Sequence, residues 1–415
     1  MQNENLKKNM LWNAAGNIVY LACQWLLTVL VTRLGSFEDA GVLSIAMSVS
    51  ATFQTIAIFG IRSFQVSDTE NKYSDTCYVT FRVFTCAVAL LGTLLFSLIT
   101  GYRSNELVCI LLFMLFRLAE NFSDVLHGIA QKNGRLDIAG KAFAIKGVGL
   151  LTAFLAGFLL TRKLSVGIAA MALLSVCSTL LYDLTVTKRL ADFRLLDLHT
   201  PWVELAKETL PLCVYLFCSS AVSTVPKLIL EWQCGETLLG IYSSVFAPAL
   251  LISAATGYLY SPFIPIFARH YQAGDRKAFL GAFLKLSGAI LILALVTVIA
   301  AAFLGEFALV LVFGEQIRAH AYLLLPILFA IFASAYFAFL CTISVVLRDF
   351  RWLLGACIAA LCVECIITAP WIRAAGLNAT SYGFILSSVL GILVLLARML
   401  YILFKKADKE SADYE

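Results

Sequence analysis

The sequence predicts an all-α polytopic membrane protein in which twelve transmembrane helices form two six-helix lobes. The first observation is composition, because 61% of the 415 residues are hydrophobic, only 14% are charged, and the mean hydropathy is +0.88. A soluble protein of this size would be about one quarter charged, and it could not bury so much apolar surface. The second observation is a series of long apolar windows, and the third is a weak similarity between the two halves of the chain.

The predicted helices follow from apolar windows of about 20 residues, the length that crosses a bilayer. In chain order these windows are 11–31, 41–60, 77–100, 107–127, 140–160, 166–187, 210–230, 239–260, 281–303, 321–346, 352–372 and 380–404. The chain opens with the polar segment "MQNENLKKNM", and no small-residue cleavage site follows it. We therefore expect the first helix to stay in the membrane rather than to be removed as a signal peptide.

The distribution of Lys and Arg predicts the orientation of these helices. Most of the 31 Lys and Arg residues lie in segments that are cytoplasmic if the N-terminus is cytoplasmic. The exceptions are Arg117, inside the fourth window, and seven outside residues: Arg33, Arg103, Arg162, Lys163, Lys227, Arg318 and Arg373. Because basic residues favour the cytoplasmic side, we expect both termini to be cytoplasmic.

The chain also divides near its middle. The predicted parts are an N-terminal lobe, a charged cytoplasmic linker, and a C-terminal lobe with a short cytoplasmic tail: residues 1–187, 188–209 and 210–415. The junction of the first two helices resembles that of the seventh and eighth, since Gly41 matches Gly240 and Ser44 matches Ser243. Six helices preserve orientation, so this pattern predicts a parallel repeat about an axis near the membrane normal.

The fourth window ends in an unusual polar stretch, "RLAENFSDVLHGIAQ", from Arg117 to Gln131. On a helix, Arg117, Glu120 and Asp124 fall with His127 and Gln131 within an arc of about 80°. A charge at the bilayer centre costs about 2.5–3.5 kcal/mol, so its usual explanation is functional. The stripe is therefore predicted to line a central cavity. The alternative is an Arg117–Glu120 pair that locks the helix against a neighbour, and for His127 the interface is favoured.

Further charged residues lie near the ends of predicted helices. Arg33 and Lys227 lie at the outer ends of the first and seventh helices, and Arg62 lies at the inner end of the second helix. These cations suit a phosphate or an acidic sugar. Ordinary snorkelling to the interface explains Arg33 and Lys227 equally well, and the alternative for Arg62 is a positive-inside anchor. Glu364 and Asp183 are single acids within apolar windows and are candidates for ion coupling.

Enzyme chemistry and cofactors are not expected. The sequence shows no phosphate-binding loop, no nucleophile elbow and no metal-binding pattern. The twelve Cys residues lie mostly in apolar windows, where Cys acts as a small apolar filler. Transport remains, with substrate and any coupling ion bound near the midplane between two lobes.

Several stretches resemble a known family. "VTRLGSFEDAGVLSIAMS" and "FGIRSFQVSD" are similar to the first helices of polysaccharide flippases in the multidrug/oligosaccharidyl-lipid/polysaccharide exporter superfamily. "RLAENFSDVLHGIAQKNGRLDIAGKAFAIKG" resembles the fourth and fifth helices of its lipid-linked oligosaccharide flippases. "VPKLILEWQCGETLLGIYSSVFAPALLI" and "SPFIPIFARHYQAGDRKAF" are similar to the region of the seventh to ninth helices. The resemblance covers nearly the whole chain, in order, and implies a MATE-like arrangement of the lobes.

This resemblance implies a function. Such flippases carry undecaprenyl-diphosphate-linked oligosaccharides from the cytoplasmic to the outer leaflet of the bacterial cell membrane, by alternating access between lobes, for cell-surface polysaccharide synthesis. Membrane lipid and polysaccharide-assembly proteins are implied as partners, and nucleic acid is not. By analogy the substrate-binding residues are the following: Arg117, Arg33, Arg62, Lys227, Glu120 and Asp124. Two alternatives stay open, a cation-coupled multidrug antiporter of the same fold and a membrane oligosaccharide polymerase or ligase.

Overall fold

Helices account for nearly all of the part of the chain that can be described. The computed structural model describes residues 2–68 and 71–412, with the backbone alone for residues 2–11, 63, 67, 136 and 405–412. Its helices are α1 (Gln2–Leu34), α2 (Phe37–Ile58), α3 (Ile61–Ser67), α4 (Asp75–Thr100), α5 (Ser104–Lys132), α6 (Leu136–Thr161), α7 (Leu164–Ser178), α8 (Leu184–Lys188), α9 (Trp202–Cys234), α10 (Glu236–Tyr260), α11 (Ile264–Gln272), α12 (Arg276–Phe313), α13 (Leu324–Val346), α14 (Phe350–Ala375) and α15 (Asn378–Ala412). The described residues form no strand, so the predicted all-α class is confirmed.

Eleven helical segments of the described residues are long and apolar enough to cross a membrane. The fourth predicted window corresponds to α5, which has 29 residues and is also long enough to span. It falls short only in composition, because Arg117, Glu120 and Asp124 lie in its central part. The chain is thus a multi-pass membrane protein, while the count of twelve and the orientation of the termini stay predictions.

The helices form two compact units, Met1–Ser220 and Ala221–Glu415, and the division falls within α9. The predicted linker, residues 188–209, runs through turns and bends and becomes helical at Trp202. Leu205 of this segment is fully buried in an apolar cluster with Phe193 and Tyr73. The linker therefore packs into the core of the first unit.

A sharp break between α2 and α3 sets the direction of Arg62. Phe59 and Gly60 both adopt left-handed backbone conformations, with φ of 50° and 70°. A Cβ at Gly60 would lie 2.2 Å from a side-chain carbon of Leu212, so glycine meets both the conformational and the steric demand. This turn ends the membrane helix α2 and starts the short helix α3, which carries Arg62 beside α5.

The matched stretches of the two halves occupy corresponding places in their own units. In α2 the residues from Ala40 to Ala46 are all buried, and in α10 the residues from Leu239 to Ala247 are all buried. Gly41 and Gly240 lie within these buried runs. The sequence similarity thus reflects helix-packing positions, where small residues allow close approach.

Candidate functional site

Helices α3, α4 and α5 bring two arginines to one carboxylate. Arg62 donates to Asp124 over 2.8 Å and to the side-chain oxygen of Gln131 over 3.2 Å. Arg82, from α4, donates to the other oxygen of Asp124 over 3.2 Å. We call these four residues, Arg62, Arg82, Asp124 and Gln131, the arginine cluster. Two guanidinium groups on one carboxylate leave the cluster with a net positive charge.

The two arginines differ in exposure. Arg82 is fully buried, and it also donates to the backbone carbonyl of Ala57, which Thr85 shares at 2.9 Å. Arg62 keeps 27% of its side chain exposed, and Asp124 keeps 25%. Arg82 is therefore the buried, fixed charge of the cluster, whereas Arg62 is the cation that a ligand can reach.

A second polar cluster lies deeper in the same unit. The Lys146 ammonium donates to Asp183 and to Ser123 over 2.6 Å each, and Ser123 donates to Asp183 over 2.6 Å. His127 lies 3.2 Å from the other oxygen of Asp183. We call Lys146, Asp183, Ser123 and His127, together with Thr179, the lysine cluster. All five are buried, and the predicted interface position of His127 agrees with this geometry.

A π-helical turn supports the lysine cluster. It covers Thr179–Asp183, between α7 and α8. Thr179 contacts both Ser123, at 2.8 Å, and Lys146, at 3.3 Å, so both ends of the turn face the same buried ammonium. Such turns occur mostly as single-turn bulges within α-helices and are frequent at functional sites.

Glu120 joins α5 to α1, α6 and α7. Its carboxylate accepts a bond of 2.6 Å from the Tyr20 hydroxyl and one of 3.3 Å from Ser175, and it lies 3.7 Å from the Lys146 ammonium. The alternative explanation of the stripe, an Arg117–Glu120 pair, is not seen among the described side chains. The guanidinium of Arg117 instead lies 5.2 Å and 5.1 Å from the ring centres of Phe113 and Phe116.

The structure also gives the local surroundings of three other predicted residues, each within its own unit. Arg33 is exposed in the last turn of α1. Lys227 of the second unit lies 4.3 Å from the ring centre of Phe246. Glu364, also in the second unit, is fully buried and accepts bonds from Thr368 and Ser387. Whether any of these residues binds substrate or ion stays a prediction.

Sequence reasoning missed Arg82 and Lys146, which complete the two clusters. Both residues were assigned to the cytoplasmic side, although each lies inside a predicted window, 77–100 or 140–160. An ionisable residue within a membrane window is a functional candidate by default. Applying that rule to these two residues, as to Arg117, would have found them.

Comparisons with known proteins support this reading of the fold. The structure superposes on an inward-facing multidrug resistance MATE family transporter of the MOP superfamily with a TM-score of 0.69 and 12% identity, covering 96% of this chain and 99% of the other. It also superposes on the inward closed conformation of the lipid II flippase MurJ with a TM-score of 0.67 and 11% identity, covering 93% and 87%. Identities this low show the fold alone, which is the predicted MATE-like one.

The sequence gives the closer relationship. The chain is 26% identical over 316 residues to the capsular polysaccharide biosynthesis protein CapF of Staphylococcus aureus, covering 74% of this chain and 78% of CapF. The model of a family described as polysaccharide biosynthesis protein matches residues 6–270. This match includes every residue of both polar clusters and covers more than half of the sequence. The chain is therefore a multi-pass membrane protein that belongs to the polysaccharide biosynthesis protein family.

Proposed function

We propose that the protein is a flippase that moves an undecaprenyl-diphosphate-linked oligosaccharide from the cytoplasmic to the outer leaflet, by alternating access, for cell-surface polysaccharide synthesis. The observation that carries the proposal is the net positive arginine cluster, with Arg62 partly exposed at the end of a membrane helix. The family and the relative CapF support a role in polysaccharide synthesis. The fold shared with MurJ, which is described as a lipid II flippase, supports the movement of a lipid-linked substrate.

The physical barrier explains what such a protein must provide. Each unsatisfied polar group in hydrocarbon costs several kcal/mol, so a sugar headgroup cannot cross the bilayer alone. A diphosphate also needs cationic donors, and the planar guanidinium of Arg62 matches phosphate oxygens in a bidentate geometry. Under the predicted orientation Arg62 lies in α3, just beyond the cytoplasmic end of α2, where the substrate is loaded. No covalent step is required, and the proposed activity is transport rather than catalysis.

Asp124 and Gln131 have a supporting role in this proposal. They hold the Arg62 side chain in place before substrate arrives, which lowers the entropy lost on binding. Asp124 also limits the strength of the site, because it competes with phosphate for both guanidinium groups. A transporter needs that limit, since a headgroup bound too tightly would not be released.

The test measures headgroup exposure in liposomes that hold the purified protein and a fluorescent undecaprenyl-diphosphate sugar. The rate at which the headgroup reaches an external quencher is compared for wild type, Arg62→Ala and Arg62→Lys. Loss of a hydrogen bond to a charged group costs about 1.5–3 kcal/mol, which corresponds to a roughly 10- to 100-fold weaker interaction. We expect the rate to fall by that order in Arg62→Ala at low substrate, with partial recovery in Arg62→Lys.

The matched control is Arg194→Ala, which removes an arginine whose side chain is 81% exposed in the first unit. The Arg194→Ala variant should flip the fluorescent lipid at the wild-type rate. If wild type exposes the headgroup no faster than empty liposomes do, with several sugars tried, the flippase function is contradicted. Equal rates for wild type and Arg62→Ala would keep the function and exclude Arg62 from the substrate path.

A further inference from the structure

A groove of the second unit lies between α14 and α15, and its volume is about 650 Å³. It is lined by one residue of α14 and five of α15: Trp352, Leu393, Val394, Ala397, Arg398 and Tyr401. Only one of these side chains is charged, and the others are apolar or aromatic. We call this feature the α14–α15 groove.

The charged residue of the groove, Arg398, is held by three neighbours. Its Nε donates to the Asp349 carboxylate over 2.6 Å. Its guanidinium carbon lies 5.3 Å from the ring centre of Trp352 and 5.2 Å from that of Tyr401, within the range of a cation–π interaction. The bond to Asp349 engages Nε, so the N–H groups of the two terminal nitrogens can reach another acceptor. Arg398 keeps 28% of its side chain exposed.

This end of the two helices carries a net positive charge. Arg348 and Arg351 are exposed, and they directly precede Asp349 and Trp352 in the chain. Together with Arg398 they oppose one carboxylate, that of Asp349. An anion is therefore attracted to this end of the groove, and the positive charge of a zwitterionic headgroup is repelled.

The groove combines two environments along α15. Under the predicted orientation the segment between α13 and α14 is cytoplasmic, and Arg398 lies near the cytoplasmic end of the apolar span Asn378–Phe404. Arginine, Trp and Tyr are typical of the headgroup region. Val394 lies one helical turn, about 6 Å, closer to the bilayer centre. The groove thus has a cation at headgroup depth and an apolar wall beside it.

An interfacial anchor alone does not require this arrangement. An arginine that only anchors a helix extends into the headgroup region and needs no fixed position. Arg398 is instead fixed by Asp349 and by two aromatic rings, which lowers the entropy that it loses when a ligand binds. A free phosphate would gain nothing from the apolar wall, whereas a phospholipid matches both parts of the groove.

We propose that the α14–α15 groove binds an anionic phospholipid of the cytoplasmic leaflet. The lipid phosphate accepts from the terminal nitrogens of Arg398, and an acyl chain lies along Leu393 and Val394. Basic pockets between membrane helices on the cytoplasmic side suit anionic headgroups for this electrostatic reason. The proposal does not depend on the flippase function, because it concerns the lipid around the protein and not the transported substrate.

The test uses the fluorescence of Trp352, which lines the groove. The full-length protein is reconstituted in vesicles of phosphatidylcholine and phosphatidylglycerol, with bromine on the acyl chains of one lipid or of the other. Bromine quenches a nearby tryptophan, and each protein is compared with its own Trp352→Phe form to isolate the signal of Trp352. We expect brominated phosphatidylglycerol to quench Trp352 more strongly than brominated phosphatidylcholine at the same mole fraction.

Two variants and a control locate the site. Arg398→Gln should bind phosphatidylglycerol about fivefold more weakly, since that is the contribution of one basic residue near an anionic membrane surface. Ala397→Phe keeps the Arg398–Asp349 pair but fills the groove, so it should also lose the preference, and it decides the question if Arg398→Gln does not fold. The matched control is Arg269→Gln, which changes an exposed arginine of α11 in the same unit and should keep the preference.

Several results would overturn the proposal. Equal quenching of Trp352 by the two brominated lipids in wild type would do so, as would a wild-type preference in either folded variant of the groove. An equal loss in Arg269→Gln and Arg398→Gln would reduce the effect to general attraction by a positive surface. If unbrominated undecaprenyl diphosphate relieves the quenching at a lower mole fraction than unbrominated phosphatidylglycerol, the groove binds a polyprenyl diphosphate and the proposal is wrong.

Discussion

Replacing Lys146 by Met should destabilise the first unit more than the same replacement of Lys141, the other lysine of α6. The Lys146 side chain has a relative exposure of 1%, and its ammonium group is the nearest cation to the fully buried Asp183, at 2.6 Å. Methionine has a similar length and fills the same space, so the change removes the charge and little volume. Asp183 then stays buried and, among the described side chains, keeps Ser123 and His127 as its partners.

The expected magnitude follows from the burial of both partners. Removing one member of a buried ion pair costs about 3–5 kcal/mol, mostly because the other charge stays desolvated. His127, at 3.2 Å from Asp183, stays in place as a hydrogen-bond partner and recovers part of this loss. We therefore expect the free energy of unfolding to fall by about 3 kcal/mol, near the lower end of that range.

The assay is denaturant unfolding of the protein in detergent micelles, analysed by linear extrapolation. The matched control is Lys141→Met on the same helix, since Lys141 pairs with Asp137 at 3.3 Å but is 45% exposed. An exposed pair contributes about 0–1 kcal/mol, so this control should change little. The double variant Lys146→Met/Asp183→Leu should lose less than the sum of its single variants, because it leaves no unpaired charge. Equal losses of unfolding free energy in Lys146→Met and Lys141→Met would refute this reasoning. Additive losses in the double variant would refute it as well.

Two further predictions concern packing and pH. Gly140→Ala should lower the free energy of unfolding by about 1–3 kcal/mol through overpacking, because a Cβ at position 140 would lie 2.3 Å from the Trp12 carbonyl oxygen. The control is Gly355→Ala, since a Cβ at position 355 would have no atom within 4 Å. The same denaturant assay checks both, and equal stabilities would contradict the close approach of α1 and α6. For Asp68, burial raises the pKa of the carboxyl, but bonds from the backbone N–H groups of Tyr73 and Lys72 and from Tyr78 outweigh it and lower the pKa below its ordinary value. A lowered folded-state pKa gives stability that is present above the unfolded pKa and is lost as pH falls through the folded pKa. Unfolding free energies at pH about 6 and about 3 should therefore differ less in Asp68→Asn than in wild type, and parallel profiles would exclude this contribution.

The predicted windows correspond to helices of the structure because each depends only on local hydropathy. The window 281–303, for example, falls within α12, which is nearly all apolar. The limits were less well predicted, since α12 continues to Phe313 and α9 begins at Trp202 rather than near residue 210. Helix ends depend on caps and turns, such as the left-handed Phe59–Gly60 pair, which hydropathy does not record.

The candidate site was predicted only in part. The polar stripe of α5 was evident from helical periodicity, and Asp124 and Arg62 do meet. The partners of Glu120 were not evident, because Tyr20 and Ser175 belong to distant parts of the chain and are ordinary residues in their own helices. Arg82 and Lys146 lie within predicted membrane windows, which marks them as functional candidates. Counting them as cytoplasmic charges for the topology hid that signal.

The sequence by itself determined the class of the protein, the approximate helices and the family, because these depend on composition, apolar length and local similarity along the chain. Only the tertiary structure decided which charges neutralise each other. Helix packing pairs Asp183 with Lys146 and leaves Glu364 among hydroxyl groups, although both acids appear in the sequence as single charges in apolar windows. The physical reason is that the energy of a buried charge depends on groups within a few ångströms, and those groups come from other helices.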